Sequence, residues 1–239
     1  MTVTGEIDPA SGAPLELRRK LALVLDTDDL VDALRLAREL KPWFGVAKVG
    51  LELFSAAGPG AVNRLVDEGY DVFVDLKLFD IPTTVGKAAR VVGSLGARYL
   101  TIHARDDAPM LRAGADGFRE GAARAGLEAP VPLAVTVLTS DRGAPPHILP
   151  RRVALAVETG CGGIVCATND LREARQIAPR LVKVVPGIRT SGSPSHDQLR
   201  PATPRQALDE GADLLVIGRT VTHAEDPSVA AAAVVAELH

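Results

Sequence analysis

Aromatic side chains are scarce in this chain: Phe, Tyr and Trp make up 3% of its 239 residues, against 46% hydrophobic residues in all. The apolar material is therefore mostly Val, Leu, Ile and Ala, which suits a parallel sheet covered by helices. Cysteine is nearly absent, with Cys161 and Cys166 the only two. Their spacing fits neither a zinc site nor a redox pair, and both fall in or beside an apolar run that reads as a buried strand. A disulfide scaffold is excluded, and a reducing compartment is expected. There is also no basic block. Lys and Arg number 27 against 30 Asp and Glu, a net charge of −3. Such a chain lacks the electrostatic footprint of a nucleic-acid binder. The short Arg18-Arg19-Lys20 cluster runs straight into an apolar stretch and reads as a solvated lead-in to a strand. No apolar run approaches the roughly 20 residues of a membrane span. Glu6 and Asp8 leave the first residues without the apolar core of a signal peptide. A cytoplasmic protein with neither nucleic-acid nor membrane partners is expected.

What is present is a repeat. Short apolar runs rich in branched residues occur at 21–25, 46–49, 72–76, 99–103, 133–138, 163–166, 181–185 and 214–217. Each has the brevity and continuity of a strand buried on both faces. Amphipathic or alanine-rich stretches lie between them, most clearly at 30–40, 61–68, 85–95 and 153–159. Asp28 and Asp170 are the expected N-caps, and Gly69, Gly96, Gly160 and Gly211 the expected helix stops. Strand then helix, about eight times over, predicts parallel pairing through right-handed crossovers. Eight units closing on themselves form a TIM (β/α)8 barrel, which at about 250 residues would use nearly the whole chain. Residues 1–16 read as a flexible arm and 17–239 as one barrel domain.

In a barrel of this kind the chemistry sits where strands end and the following loops begin. The strand ends here carry Asp26, Lys48, Asp75, Lys77 and Asp80, His103, Thr139-Ser140, Pro186-Gly187-Ile188-Arg189 and Gly218-Arg219. Asp75 and Lys77 stand two apart on one strand, so their side chains share a face. With Asp80 three residues further on and Lys48 from the neighbouring strand they form an alternating array that holds Lys77 charged. At about 4 Å and an effective dielectric of 20, each neighbouring pair interacts by roughly 4 kcal/mol. A plain ladder of surface ion pairs is the alternative, but it has no need for charges from several strands to converge. Gly218-Arg219 after the last strand, beside the loop after the seventh, suits a phosphate. The long loop from 186 to about 204 has the composition of a closing lid. No His, Cys, Asp and Glu grouping has metal-ligand spacing, and no nucleophile elbow, Walker loop or Gly-x-Gly-x-x-Gly motif appears, so neither metal nor cofactor is expected.

The segment Asp75-Leu76-Lys77-Leu78-Phe79-Asp80-Ile81-Pro82-Thr83-Thr84 resembles the signature of the orotidine 5′-phosphate decarboxylase family. Other matching segments include Asp26, Lys48-Val49-Gly50, Val137-Leu138-Thr139-Ser140, Pro186-Gly187-Ile188-Arg189, Asp197-Gln198-Leu199-Arg200 and Val216-Ile217-Gly218-Arg219. The resemblance runs from about residue 20 to the end. It implies metal-free decarboxylation of orotidine 5′-monophosphate to uridine 5′-monophosphate, in de novo pyrimidine synthesis, with Lys77 as proton donor to carbon 6. Asp75, Lys48 and Asp80 would complete the charged catalytic network. Asp26 and Lys48 would hold the ribose, Thr139 and Ser140 the base, and Arg189, Gln198, Gly218 and Arg219 the phosphate. Ile81 and Pro186 join the substrate-binding set. Asp80 and Thr84 would come from the second subunit of a homodimer. Phe79 stands where many members have His, Thr83 where many have Asn, and Arg105-Asp106-Asp107 where small residues are usual. Two other readings compete: a magnesium-dependent sugar-phosphate decarboxylase of the same superfamily, and a non-catalytic nucleotide-binding barrel.

Overall fold

The structure, a computed structural model, describes residues 12–105, 107–138, 144–190 and 202–238. Eight strands run in chain order: β1 Leu21–Leu25, β2 Val46–Val49, β3 Asp71–Leu78, β4 Ala97–His103, β5 Val131–Val135, β6 Gly163–Val165, β7 Val182–Val185 and β8 Leu214–Ile217. Each pairs in parallel with its neighbours in sequence, and β8 closes on β1. The helices among the described residues are α1 Leu15–Arg18, α2 Leu30–Leu40, α3 Leu51–Ala57, α4 Pro59–Asp67, α5 Pro82–Ser94 and α6 Ala108–Arg124, followed by α7 Ile148–Glu158, α8 Leu171–Ile177, α9 Pro204–Asp209, α10 Arg219–Thr222 and α11 Pro227–Ala236. The expected TIM barrel is what forms.

Two apolar cores follow from the two faces of each strand. The larger lies between strands and helices and takes Leu21, Leu23, Leu25, Val72, Val74, Leu100 and Ile102. The smaller takes the alternate positions, Ala22, Val24, Val46, Phe73, Leu133, Val184, Leu214 and Val216, with Tyr99, Val131, Val165 and Val182 packed against it. Register keeps this second set together around the barrel: Ala22 pairs with Val46, Phe73 with Tyr99, Tyr99 with Val131, and Val184 with Leu214. These residues fill the barrel interior in layers, so it is a packed core rather than a pore. One step further along the same alternation come Asp26, Lys48, Asp75, Thr101, Pro186 and Gly218. Packing parity thus aims the polar residues at the mouth.

The helices begin and end where local chemistry dictates. Gly69, Gly96, Gly160 and Gly211 all take left-handed φ, at 76°, 87°, 75° and 97°, just past the ends of α4, α5, α7 and α9. Glycine alone carries no Cβ penalty there. The cap of α2 is Asp29 rather than the expected Asp28: its Oδ1 accepts from the N–H groups of Val31 and Asp32. Asp170 stands at the N-cap position of α8, but its side chain makes no capping hydrogen bond there. The run 133–138 is shorter as a strand than expected, because the chain leaves the ladder after Val135 and carries Val137 and Leu138 toward the cavity. Helices α5 and α6 meet backbone to backbone: a Cβ on Gly117 would collide with the Gly86 carbonyl oxygen, and one on Gly121 with that of Arg90. Of the expected N-terminal arm only its last residues are described; there Ala13 is buried and its N–H donates to the Pro42 carbonyl at 2.9 Å.

Candidate active site

The mouth of the barrel opens into a cavity of about 670 Å³, within the usual range for small-molecule sites. Its wall brings together Asp26, Lys48, Asp75, Lys77, Pro186, Arg189, Gly218 and Arg219, all named from the sequence. Its apolar lining includes Val24, Phe73, Val135, Val137, Val165 and Val216.

The charged side is a chain of alternating sign drawn from three strands. Asp26 Oδ1 lies 3.2 Å from Lys48 Nζ. Lys48 Nζ lies 3.7 Å from Asp75 Oδ2. Lys77 Nζ donates to both Asp75 oxygens at 2.9 Å. Lys48 is only 7% exposed, and these two carboxylates offset the cost of burying its charge. Gly50 leaves room for the first pair: a Cβ there would stand 2.6 Å from Asp26 Oδ1 and 2.9 Å from Lys48 Nζ. Burial pushes the Asp75 carboxyl upward, but Lys48 and Lys77, with hydrogen bonds from Lys77 and Thr101, hold it below the usual carboxylate range. It is an anion at neutral pH.

Asp75 and Lys77 meet, but not along a regular strand. Val74 pairs with Leu100 and Leu78 with Ile102, so four steps on β3 face two on β4. The surplus residues form a bulge that contains Asp75 and Lys77. Lys77 sits there at φ +50°, the one non-glycine residue with left-handed backbone among those described. That conformation costs about 1–2 kcal/mol for an L-residue. Thr101, fully buried on β4, accepts the Lys77 N–H at 2.9 Å and donates its hydroxyl to Asp75 Oδ1 at 2.9 Å. Sequence reasoning passed over Thr101. The signal available was its place two residues before His103, on the inward alternation of the fourth strand.

Across the cavity, Arg189 is 7% exposed, and its backbone N–H donates to the Ala202 carbonyl at 3.0 Å. That bond, with the Ile188–Ala202 bridge, ties together the two ends of the loop after β7. Past it, Thr203 caps α9 in a reciprocal capping box with Gln206. Arg219 opens α10 directly after Gly218. Glu52, Cys166, Thr222 and His223 also line the cavity, without having been expected to. Thr139, Ser140 and Gln198 lie outside the described residues, as does most of the expected lid.

Asp80, Ile81 and Thr84 stand apart from this wall. All three are exposed on the β3–α5 connection, and the Asp80 side chain accepts from the Ile81 N–H at 2.6 Å. Beside them Phe79 and Ile81 are 55% and 66% exposed. Two departures from the family pattern touch one another here. The Phe79 ring sits edge-on to His103 at 5.9 Å, and the Arg105 guanidinium lies over it at 5.9 Å. Burial, with Arg105, Lys77 and Arg152 nearby, pulls His103 below its ordinary value, so it is neutral near pH 7. A third departure, Asp107, caps α6 by accepting from the Met110 N–H. Nothing in the structure accounts for Thr83. Both cysteines are free and buried, as expected, and burial pushes their thiols up to about 11 for Cys161 and about 12 for Cys166. Among the described residues no cluster of three or more His, Cys, Asp or Glu could hold a metal ion, and no helix is long and apolar enough to cross a membrane.

Comparison with known proteins bears on the same residues. The chain is 43% identical over 236 residues to orotidine 5′-phosphate decarboxylase of Moorella thermoacetica, covering 94% of each. It is 41% identical to the enzyme of that name from Paramagnetospirillum magneticum, over 90% of this chain and 97% of the relative. The crystal structure of orotidine 5′-phosphate decarboxylase from Lactobacillus acidophilus superposes with a TM-score of 0.79 at 30% identity, covering 92% of this chain and 99% of that one. The model of the orotidine 5′-phosphate decarboxylase / HUMPS family matches residues 19–234, a span that holds every strand of the barrel and the whole charged wall of the cavity. By extent of match as well as by fold, the chain belongs to the orotidine 5′-phosphate decarboxylase / HUMPS family.

Proposed function

We propose that this protein converts orotidine 5′-monophosphate to uridine 5′-monophosphate and carbon dioxide, the decarboxylation step of de novo pyrimidine synthesis, in the cytoplasm. The observation that carries the reading is the Lys77 ammonium, held 2.9 Å from both oxygens of Asp75 at the edge of a cavity whose wall also carries Arg189 and Arg219.

Losing carbon dioxide breaks the bond from carbon 6 to the carboxylate and leaves its electron pair on carbon 6. That pair lies in the ring plane, where the ring π-system cannot delocalise it. A fixed cation stabilises such a charge without reorganising during the step. Lys77 supplies the cation and then donates an Nζ proton to carbon 6. Asp75 holds that ammonium in place, and Lys48 in turn holds Asp75. Asp26 and Lys48 hold the ribose hydroxyls. Arg189, Gly218 and Arg219, with Gln198 from the loop after β7, grip the phosphate; Thr139 and Ser140 contact the base, and Pro186 lines the substrate cavity. Remote binding of the phosphate thereby serves the transition state.

The active unit in this reading is a homodimer in which Asp80, Ile81 and Thr84 reach the partner's cavity. Their exposure, away from the cavity of their own chain, and the exposed Phe79 and Ile81 beside them support it. Residues 1–16 precede the catalytic barrel, 17–239, as an arm.

The test follows the absorbance of orotidine monophosphate with purified protein after exhaustive chelation. Turnover is expected to persist, and Lys77→Ala is expected to abolish it while the protein stays folded. Strict dependence on magnesium would instead favour the sugar-phosphate decarboxylase reading, and no turnover at all the non-catalytic one.

A further inference from the structure

We infer that Thr101 is a positioning residue for the lysine–carboxylate pair: its hydroxyl sets the left-handed backbone of Lys77 and the rotamer of Asp75 together. The inference deepens the proposed reaction and rests on it for its kinetic consequence.

Three observations carry it. The bulge between Val74 and Leu78 takes Lys77 out of the β3–β4 ladder, so its N–H has lost the regular carbonyl partner a strand would supply. Lys77 holds φ +50°, a conformation that persists in a non-glycine residue only where its surroundings over-determine it. Thr101, on the strand facing the bulge, is the side chain that meets both needs. Its oxygen accepts the Lys77 N–H at 2.9 Å, and its proton goes to Asp75 Oδ1 at 2.9 Å.

The directionality of the hydroxyl makes this more than packing. One lone pair is engaged by the Lys77 N–H, and the single proton is then free to point at Asp75. The same carboxylate oxygen accepts from Lys77 Nζ at 2.9 Å. Backbone nitrogen, threonine hydroxyl, carboxylate and ammonium thus close a ring that begins and ends in Lys77. Such a ring fixes where the ammonium stands relative to the carboxylate, by hydrogen bonds that leave little rotational freedom. Thr101 is fully buried and makes no contact with solvent, so its effect on substrate passes through Lys77 and Asp75. It would therefore act on the chemical step and leave the phosphate grip untouched.

The test compares Thr101→Val, which keeps the shape and removes the hydroxyl, with Thr101→Ser, which keeps the hydroxyl. Thr101→Val is expected to lose about 10- to 100-fold in kcat, the scale of a misplaced catalytic group, while its Kd for uridine monophosphate stays within about twofold. Thr101→Ser is expected to recover kcat to within a few-fold of the parent. Crystal structures of the two variants should show Lys77 leaving left-handed φ in the valine form and keeping it in the serine form. If valine prevents folding, Thr101→Ala against Thr101→Ser carries the same comparison. A valine or alanine variant with unchanged kcat, or a serine variant no better than valine, would overturn the inference. If the parent protein fails to decarboxylate orotidine monophosphate, the proposed reaction falls. The Lys77 backbone in the variant structures then still decides the role of Thr101, and left-handed φ retained without the hydroxyl refutes it.

Discussion

Lys48 is a buried cation whose nearest carboxylates come from different strands, Asp26 on one side and Asp75 on the other. A charge so placed is destabilising without its partners and orders the site with them. At the same scale, the two arginines of the cavity differ in burial. Arg189 is buried and its backbone is tied to Ala202, whereas Arg219 is half-buried and opens a four-residue helix. Arg219→Ala should leave the fold intact and remove a charged hydrogen-bonding fork from the phosphate. Such bonds are worth roughly 2 kcal/mol, so kcat/KM should fall by about thirtyfold. Steady-state kinetics check this, and a substrate lacking the phosphate should show no further loss in the variant.

Elements act here through how closely they approach. Helices α5 and α6 follow adjacent strands, β3 and β4, that carry Asp75, Lys77 and Thr101. Their glycines let the two helix backbones touch, with Gly121 against the Arg90 carbonyl and Gly117 against that of Gly86. Both neighbours are backbone and cannot swing aside. Gly121→Ala should consequently destabilise the protein by about 1–3 kcal/mol through overpacking, despite alanine's better helix propensity. A shift in the urea midpoint measures it; a gain in stability would mean the helices separate at no cost. α5 also begins at Pro82, so the Asp80–Ile81 segment is held between the strand bulge and a helix start whose missing N–H costs nothing.

For the whole molecule, the separation of Asp80 from its own cavity has a consequence that can be measured. Lys77→Ala and Asp80→Ala should each be inactive alone. In the proposed homodimer, a mixed pair would have one site with both residues and one with neither. After random exchange half the dimers are hybrid, so roughly a quarter of parental activity should return on mixing. No recovery, with subunit exchange verified by mass, would place Asp80 in the site of its own chain.

The chain's organisation was legible wherever a local rule decides the outcome. Branched apolar runs made eight strands, and β1, β2 and β8 have the expected ends. Gly69, Gly96, Gly160 and Gly211 stop helices because only glycine takes left-handed φ freely. Side-chain alternation carried Asp26, Lys48, Asp75 and Gly218 to the mouth, since the parity that packs the interior continues past it. Asp29 in place of Asp28 shows the limit of the same logic, for two adjacent aspartates differ only in which one the turn aims at the helix. Tertiary structure alone decided the rest. No spacing rule foretells a two-residue surplus on β3, because a bulge exists only relative to the strand beside it. Asp75 and Lys77 share a face by period two, yet their contact depends on a left-handed lysine that Thr101 holds from 24 residues further along. The sequence determined which chemical groups gather at the barrel mouth; pairing with β4 determined how the acid and the lysine face each other.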